Sequence, residues 1–281
     1  MKKILKTIKY FLVILLAGVL VAMGLNAADR YGNFSESIIG RLINKKTEGP
    51  CPSDMVFVPS SNGGFCIDKY EASAGPNCPH INPNNQLETR LNLASAECSP
   101  VSVAGAVPWR FISQSQAAEA CAKAGKRLPT PKEWYQAALG TLDKNLSWGP
   151  NDCHVNKNWP EQPGKTGTGK NCVSSAGAYD MIGNVWEWVD GTIDDGMYNN
   201  RELPSPGFII SVDSEGIPIE TDSNNPNENY YNDYFWIKKK GVRGMARGGY
   251  WDNKSDAGKY SLYLVSPPSF VGVGVGFRCA K

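Results

Sequence analysis

The stretch Asp180-Met181-Ile182-Gly183-Asn184-Val185-Trp186-Glu187-Trp188 constrains this chain more than any other. It sets two carboxylates around a glycine turn and two indoles among polar groups, too many bulky and charged side chains for an ordinary surface loop. Acidic side chains at both ends, with backbone carbonyls between them, suit a hard divalent cation, because Ca2+ takes roughly six to eight oxygens in flexible geometry. A second reading has Asp180 capping a turn while Trp186 and Trp188 are core aromatics, since Asp-rich turns are common. Both readings stand at this point.

Lys2, Lys3, Lys6 and Lys9 precede the apolar run from Tyr10 to Leu25, a pattern of membrane targeting. Its length lies between a long signal-peptide core and a short spanning helix. Residues 1–28 are therefore expected to be a signal peptide or an N-terminal membrane anchor, and the body to lie outside the cytoplasm, membrane-anchored or secreted. Eight cysteines, an even number with no C-x-x-C pair, agree with that compartment and speak for disulfides over a metal cluster. His80 and His154 are the only histidines, which excludes a three-histidine centre within the chain and places each on a surface or in a loop. The formal net charge of +2 includes the four leader lysines, so the rest is slightly acidic and nucleic acid is not an expected partner.

Residues 29–50 are polar without period and read as a linker. Met55 to Val58 and Phe65 to Asp68 flank Ser60-Ser61-Asn62-Gly63-Gly64, a hairpin signal that sets Cys51 and Cys66 at matching ends. Cys78 with Cys98 would staple a Pro/Asn-rich loop, and Cys153 with Cys172 would close another between Leu146 and Cys172. Ser113 to Gly125 reads as a helix with Ala117, Ala118, Cys121 and Ala122 on its apolar face. Thr130-Pro131-Lys132-Glu133 starts a second helix, with threonine as N-cap, proline in the first turn and glutamate completing a capping box. That helix should turn Trp134, Ala137 and Ala138 inward and end at Gly140. Residues 191–240 read as one long loop, and strand character returns at 245–251 and 275–280. High glycine (29) and proline (19) with few helical patterns imply an α+β fold of short strands, two main helices and many loops.

Four landmarks stand in one order: Gly125-Lys126-Arg127-Leu128-Pro129-Thr130 before Glu133-Trp134, then Gly183 to Trp188, then Arg247-Gly248-Gly249, then Gly276-Phe277-Arg278-Cys279. Together, over residues 51–281, they resemble the formylglycine-generating enzyme (sulfatase-modifying factor) family, a variant of the C-type lectin fold. The resemblance implies a structural calcium site on the Asp180 and Glu187 side chains and the Gly183 and Val185 carbonyls. The family's other calcium site would begin at Asn156, but its acidic partner is not apparent and no second ion is expected. The resemblance also implies a bridge from Cys121 to Cys279.

Family enzymes oxidise a substrate cysteine with a copper-binding cysteine pair, and the matching positions here are Asn253 and Gly258. Cu(I) needs thiolates, so no copper and no oxidase chemistry are expected. The segment 247–278 is instead similar to the C-terminal variable region of proteins diversified by retroelements, where a fixed backbone carries interchangeable residues. Tyr250, Asp252, Asn253, Tyr263, Val265, Ser266, Phe270, Gly272 and Gly274 fit the interchangeable set, with Trp251, Leu262 and Leu264 as scaffold. A plain edge strand and loop is the alternative. The expectation is a non-catalytic binding protein whose unknown partner is a protein or glycan ligand at a cell surface, held to the membrane through its N-terminal segment. The competing expectation is a sulfatase-modifying oxidoreductase working through another centre.

Overall fold

The computed structural model describes residues 50–61 and 63–281, so the readings made for the leader and for residues 29–49 lie outside the described residues. No helix among the described residues is long and apolar enough to cross a membrane.

The domain opens with the hairpin β1 (Met55–Val58) and β2 (Phe65–Asp68), antiparallel with Met55 opposite Asp68. Two short strands, β3 (Ser73–Ala74) and β4 (Pro100–Val101), pair around helix α1 (Gln86–Ala94). That helix corrects the Pro/Asn-rich loop expected between Cys78 and Cys98. Asn85 caps it by accepting from the Glu88 amide, but Leu87 and Leu91 stay exposed, so it has no strong apolar stripe to announce it.

Helix α2 (Gln114–Lys123) starts at a Ser113–Gln116 capping box, and α3 (Pro131–Ala138) at the expected Thr130–Glu133 box. Trp134, Ala137 and Ala138 of α3 are buried as expected. On α2 the buried residues are Gln114, Ala117, Ala120 and Cys121, while Ala118 and Ala122 face out, a correction to the face read from sequence. Small alanines on every side of a helix leave the apolar stripe undefined until packing chooses it.

A seven-stranded sheet carries the rest, in the order β13-β5-β11-β12-β10-β8-β9. Its members are β5 (Trp186–Ile193), β8 (Gly207–Val212), β9 (Pro218–Asp222), β10 (Tyr234–Ile237), β11 (Arg243–Arg247), β12 (Leu262–Leu264) and β13 (Val275–Phe277). A small hairpin, β6 (Met197–Tyr198) with β7 (Arg201–Glu202), precedes β8. The long loop expected over residues 191–240 is therefore interrupted by β6 to β10, which supply three strands of the main sheet and a small hairpin. Pairing between β8 and β9 and between β8 and β10 completes backbone hydrogen bonds that no local period reveals.

One sheet face turns Ile209, Phe235, Ile237, Leu262 and Leu264 into a core closed by Trp134, Ala137, Ala138 and Met245. A second core gathers Trp109, Ile112, Ala117, Cys121, Trp188 and Phe277. The disulfides are Cys51–Cys66, Cys78–Cys98, Cys121–Cys279 and Cys153–Cys172, the pairs expected, and they use all eight cysteines.

Candidate functional site

The chain reaches β5 through left-handed backbone at Asp180 (φ 59), Gly183 (φ 76) and Asn184 (φ 55). A Cβ at Gly183 would lie 2.3 Å from the His154 carbonyl oxygen, so only glycine fits there. The turn is pinned because the Asn184 amide donates to the same carbonyl and the Gly183 amide to that of Gly248. His154 itself, expected on a surface or in a loop, lies outside the named elements but is fully buried and stacks on Trp159 at 4.7 Å; burial lowers its pKa to about 4. The aromatic neighbour, 5 positions along the chain, supplies the cover that the loop's polar sequence hides.

Glu187 is buried and bound on both oxygens. Arg278 donates from Nη2 to Oε1 at 2.6 Å and from Nε to Oε2 at 2.7 Å, and Trp134 Nε1 adds a third bond to Oε2. A second acid, which the sequence did not single out, lies alongside: Glu71 accepts from the Asn184 side chain and the Val185 amide. Asp180 takes the Gly167 amide on Oδ2, and its Oδ1 is buried without a partner. Burial pushes Asp180 up to about 7, with the Glu187 charge adding to it. Burial first, and then the charges of Asp180 and Glu187, hold Glu71 well above its usual value. Three buried acids thus lie in the field of Arg278, which binds Glu187 directly and acts on Glu71 and Asp180 from farther off.

Among the described residues no group of three or more His, Cys, Asp or Glu side chains gathers as a metal site. The one feature here that suits an oxygen-seeking ion is the open, buried Oδ1 of Asp180. Glu187 could join only by sharing oxygens already held by Arg278 and Trp134.

The second region is a cleft of about 280 Å³ lined by Trp186, Tyr250, Tyr263, Phe270, Gly272, Val273, Gly274 and Val275. Five residues of the expected interchangeable set meet here: Tyr250, Tyr263, Phe270, Gly272 and Gly274. The other four do not line it. Asp252 pairs with Lys157 at 2.8 Å, and the Asn253 side chain accepts from the Tyr250 amide. Ser266 is buried with its hydroxyl 2.9 Å from that of Tyr263, and Val265 is half-buried just after β12. Tyr263 is half-buried and Phe270 is 37% exposed, so neither is core.

From the cleft an aromatic strip runs across the outer sheet face. Ring centroids step from Tyr263 to Trp186 (5.5 Å), Trp236 (5.4 Å), Tyr234 (4.9 Å) and Phe208 (5.1 Å). Strand register builds it, with Trp236 opposite Tyr263 and Tyr234 opposite Phe208. Sequence reasoning missed Phe208, Tyr234 and Trp236 because they fall in the segment read as loop; the short apolar run Tyr234-Phe235-Trp236-Ile237 was the available signal.

The positions matching the family's copper thiolates are Asn253, which caps the turn after Tyr250, and Gly258. A Cβ on Gly258 would lie 1.9 Å from Asp233 Oδ1, so no cysteine side chain fits without displacing that carboxylate.

Sequence comparison gives 31% identity over 121 residues to an inactive C-alpha-formylglycine-generating enzyme 2 of Mus musculus, covering 38% of this chain and 39% of that protein. A hercynine oxygenase of Mycobacterium tuberculosis matches at 32% over 114 residues, 37% of this chain and 24% of that one. The chain thus matches well under half the length of these relatives. Among solved structures, the Major Tropism Determinant I1 variant superposes with a TM-score of 0.43 at 19% identity, over 82% of this chain and 53% of that one. Treponema denticola variable protein 1 superposes with a TM-score of 0.43 at 15% identity, over 82% and 91%. The sulfatase-modifying factor enzyme 1-like domain model matches residues 59–281, and with the α+β lectin-like architecture and the landmark turns in place, the chain belongs to that family.

Proposed function

We propose that this chain is a non-catalytic, exported or surface-anchored member of the family that binds a protein or glycan ligand in the Tyr250–Tyr263–Phe270 cleft. The observation that carries this reading is the pair of former thiolate positions: Asn253 has no sulfur, and Gly258 has its side-chain space filled by Asp233. Without two thiolates, Cu(I) has no seat there. Rigid Tyr and Phe rings beside glycines supply contact area at low rotamer cost, and the strip from Trp186 to Phe208 extends it. Segment 247–278 would be the diversifiable part. Calcium at Asp180, with the Gly183 and Val185 carbonyls and a shared Glu187, would brace the turn that leads into β5. The four disulfides support an oxidising, extracytoplasmic compartment.

Two measurements test the reading. Incubation of the purified protein with a sulfatase-motif cysteine peptide, Cu(I) and oxygen should leave the peptide mass unchanged; formylglycine product would overturn it. On a glycan array and a cell-surface protein panel, Tyr263→Ala should abolish whatever capture the parent shows while its melting temperature stays within a few degrees. A large stability loss would instead make Tyr263 a core residue. A template repeat and a reverse transcriptase gene beside the locus would establish the diversification.

A further inference from the structure

Beyond the cleft and the Asp180 turn, the fold buries a third charged group. Lys259 is 8% exposed, Asp143 7% and Asp233 fully buried. Lys259 Nζ lies 3.6 Å from Asp143 Oδ2. The Lys259 amide donates to Asp143 Oδ2 at 3.2 Å, and the next amide, that of Tyr260, donates to Asp233 Oδ2 at 2.8 Å. Both carboxylates therefore hang from adjacent amides of one turn, and Asp233 is pressed against Gly258 in that same turn. The remaining oxygens, Asp143 Oδ1 and Asp233 Oδ1, are buried and accept no hydrogen bond. The Tyr231 ring centroid is 4.0 Å from Nζ and the Tyr260 ring 5.3 Å, so the lysine head is walled by aromatic surface.

A buried ion pair is stable only when its remaining lone pairs and charges are satisfied, and here the ammonium pairs with Asp143 while Asp233 adds a second buried acid, with two oxygens left open. Burial raises Asp143 to about 6 against the pull of Lys259, and burial with the Asp143 charge holds Asp233 well above its usual value. Burial disfavours the charged Asp143 carboxylate, and the aromatic walls screen the pair from water. An amino group held beside a carboxyl group, away from water, is placed for condensation rather than for hydrolysis.

We propose that Lys259 Nζ and Asp143 Cγ join in an intramolecular isopeptide bond. The Nζ lone pair forms the C–N bond at Cγ. The two protons that Nζ gives up pass to the departing Asp143 oxygen, its partner in the ion pair. The C–O bond breaks and one water leaves. Ammonium plus carboxylate thus become amide plus water, with no oxidant, reductant or co-reactant. The product ties the loop after α3 to the turn before β12 across a sequence separation of 116, and unlike the four disulfides it survives thiols.

The test is the intact mass of the purified full chain after complete reduction and denaturation, followed by peptide mapping. The expected result is a mass short by one water, with the peptide bearing Asp143 joined to that bearing Lys259. A full mass, with both peptides recovered separately, would overturn the bond and leave a buried ion pair. The parent protein decides this alone, so a variant that fails to fold cannot blur it. On a reducing denaturing gel the parent should run faster than Lys259→Arg, because a closed loop makes the denatured chain more compact, and equal mobility would count against the bond.

Discussion

Arg278 decides whether the interior around the Asp180 turn is tolerable. It holds Glu187 with two bonds and donates to the Asp68 and Tyr179 carbonyls. Replacing it by methionine keeps volume but strands Glu187 among Glu71 and Asp180. We expect Arg278→Met to cost ~3–5 kcal/mol, the usual penalty for breaking a buried pair from one side, measured by urea unfolding. A combined Arg278→Met, Glu187→Gln variant should recover part of that loss. At this scale the sequence was half legible. Asp180 and Glu187 stood out because chain-local spacing marked them, whereas Glu71 and Arg278, far off in sequence, meet them only through the fold. Asp143, Asp233 and Lys259 carried no pattern at all, since each lies in a different polar segment.

Elements that announce themselves locally formed where expected. The α3 start rests on a capping box contained in four residues, and the β1–β2 hairpin on a glycine turn between two apolar runs. Elements needing distant partners were hidden: β8, β9 and β10 gain their identity from one another, and α1 from the loop that Cys78–Cys98 staples. The bridge between α2 and the segment after β13, Cys121–Cys279, belongs to the same class, and only family likeness pointed to it. Its sequence separation of 158 makes it the longest closure among the four disulfides. Removing it with serine at both positions should lower stability by ~2–5 kcal/mol, read from the denaturation midpoint of the oxidised protein. Removing Cys153–Cys172, which closes a separation of 19, should cost less in the same assay.

For the molecule as a whole, charge burial sets the response to pH. Asp180, raised from 3.8 to about 7, binds a proton on folding, so its contribution is full below 3.8 and is lost as pH rises through about 7. Glu71 and Asp233 act in the same direction. His154 opposes them, because its folded pKa of about 4 lies below 6.5 and stability falls as pH drops through 6.5. In EDTA the melting temperature should therefore rise as pH falls through about 7 towards 5, with His154 offsetting part of the gain below 6.5. With calcium the midpoint should be higher at pH 8 and the slope flatter, since the ion replaces the proton among the carboxylates. An identical melt with and without chelator would remove the calcium site.

Strand β13 runs parallel to β5, Ala280 bridges Arg127, and Lys281 exchanges backbone bonds with Cys66. Residues 275–281 thus join the first hairpin, the segment between α2 and α3 and the central sheet at once, so a domain lacking them would keep three backbone edges open.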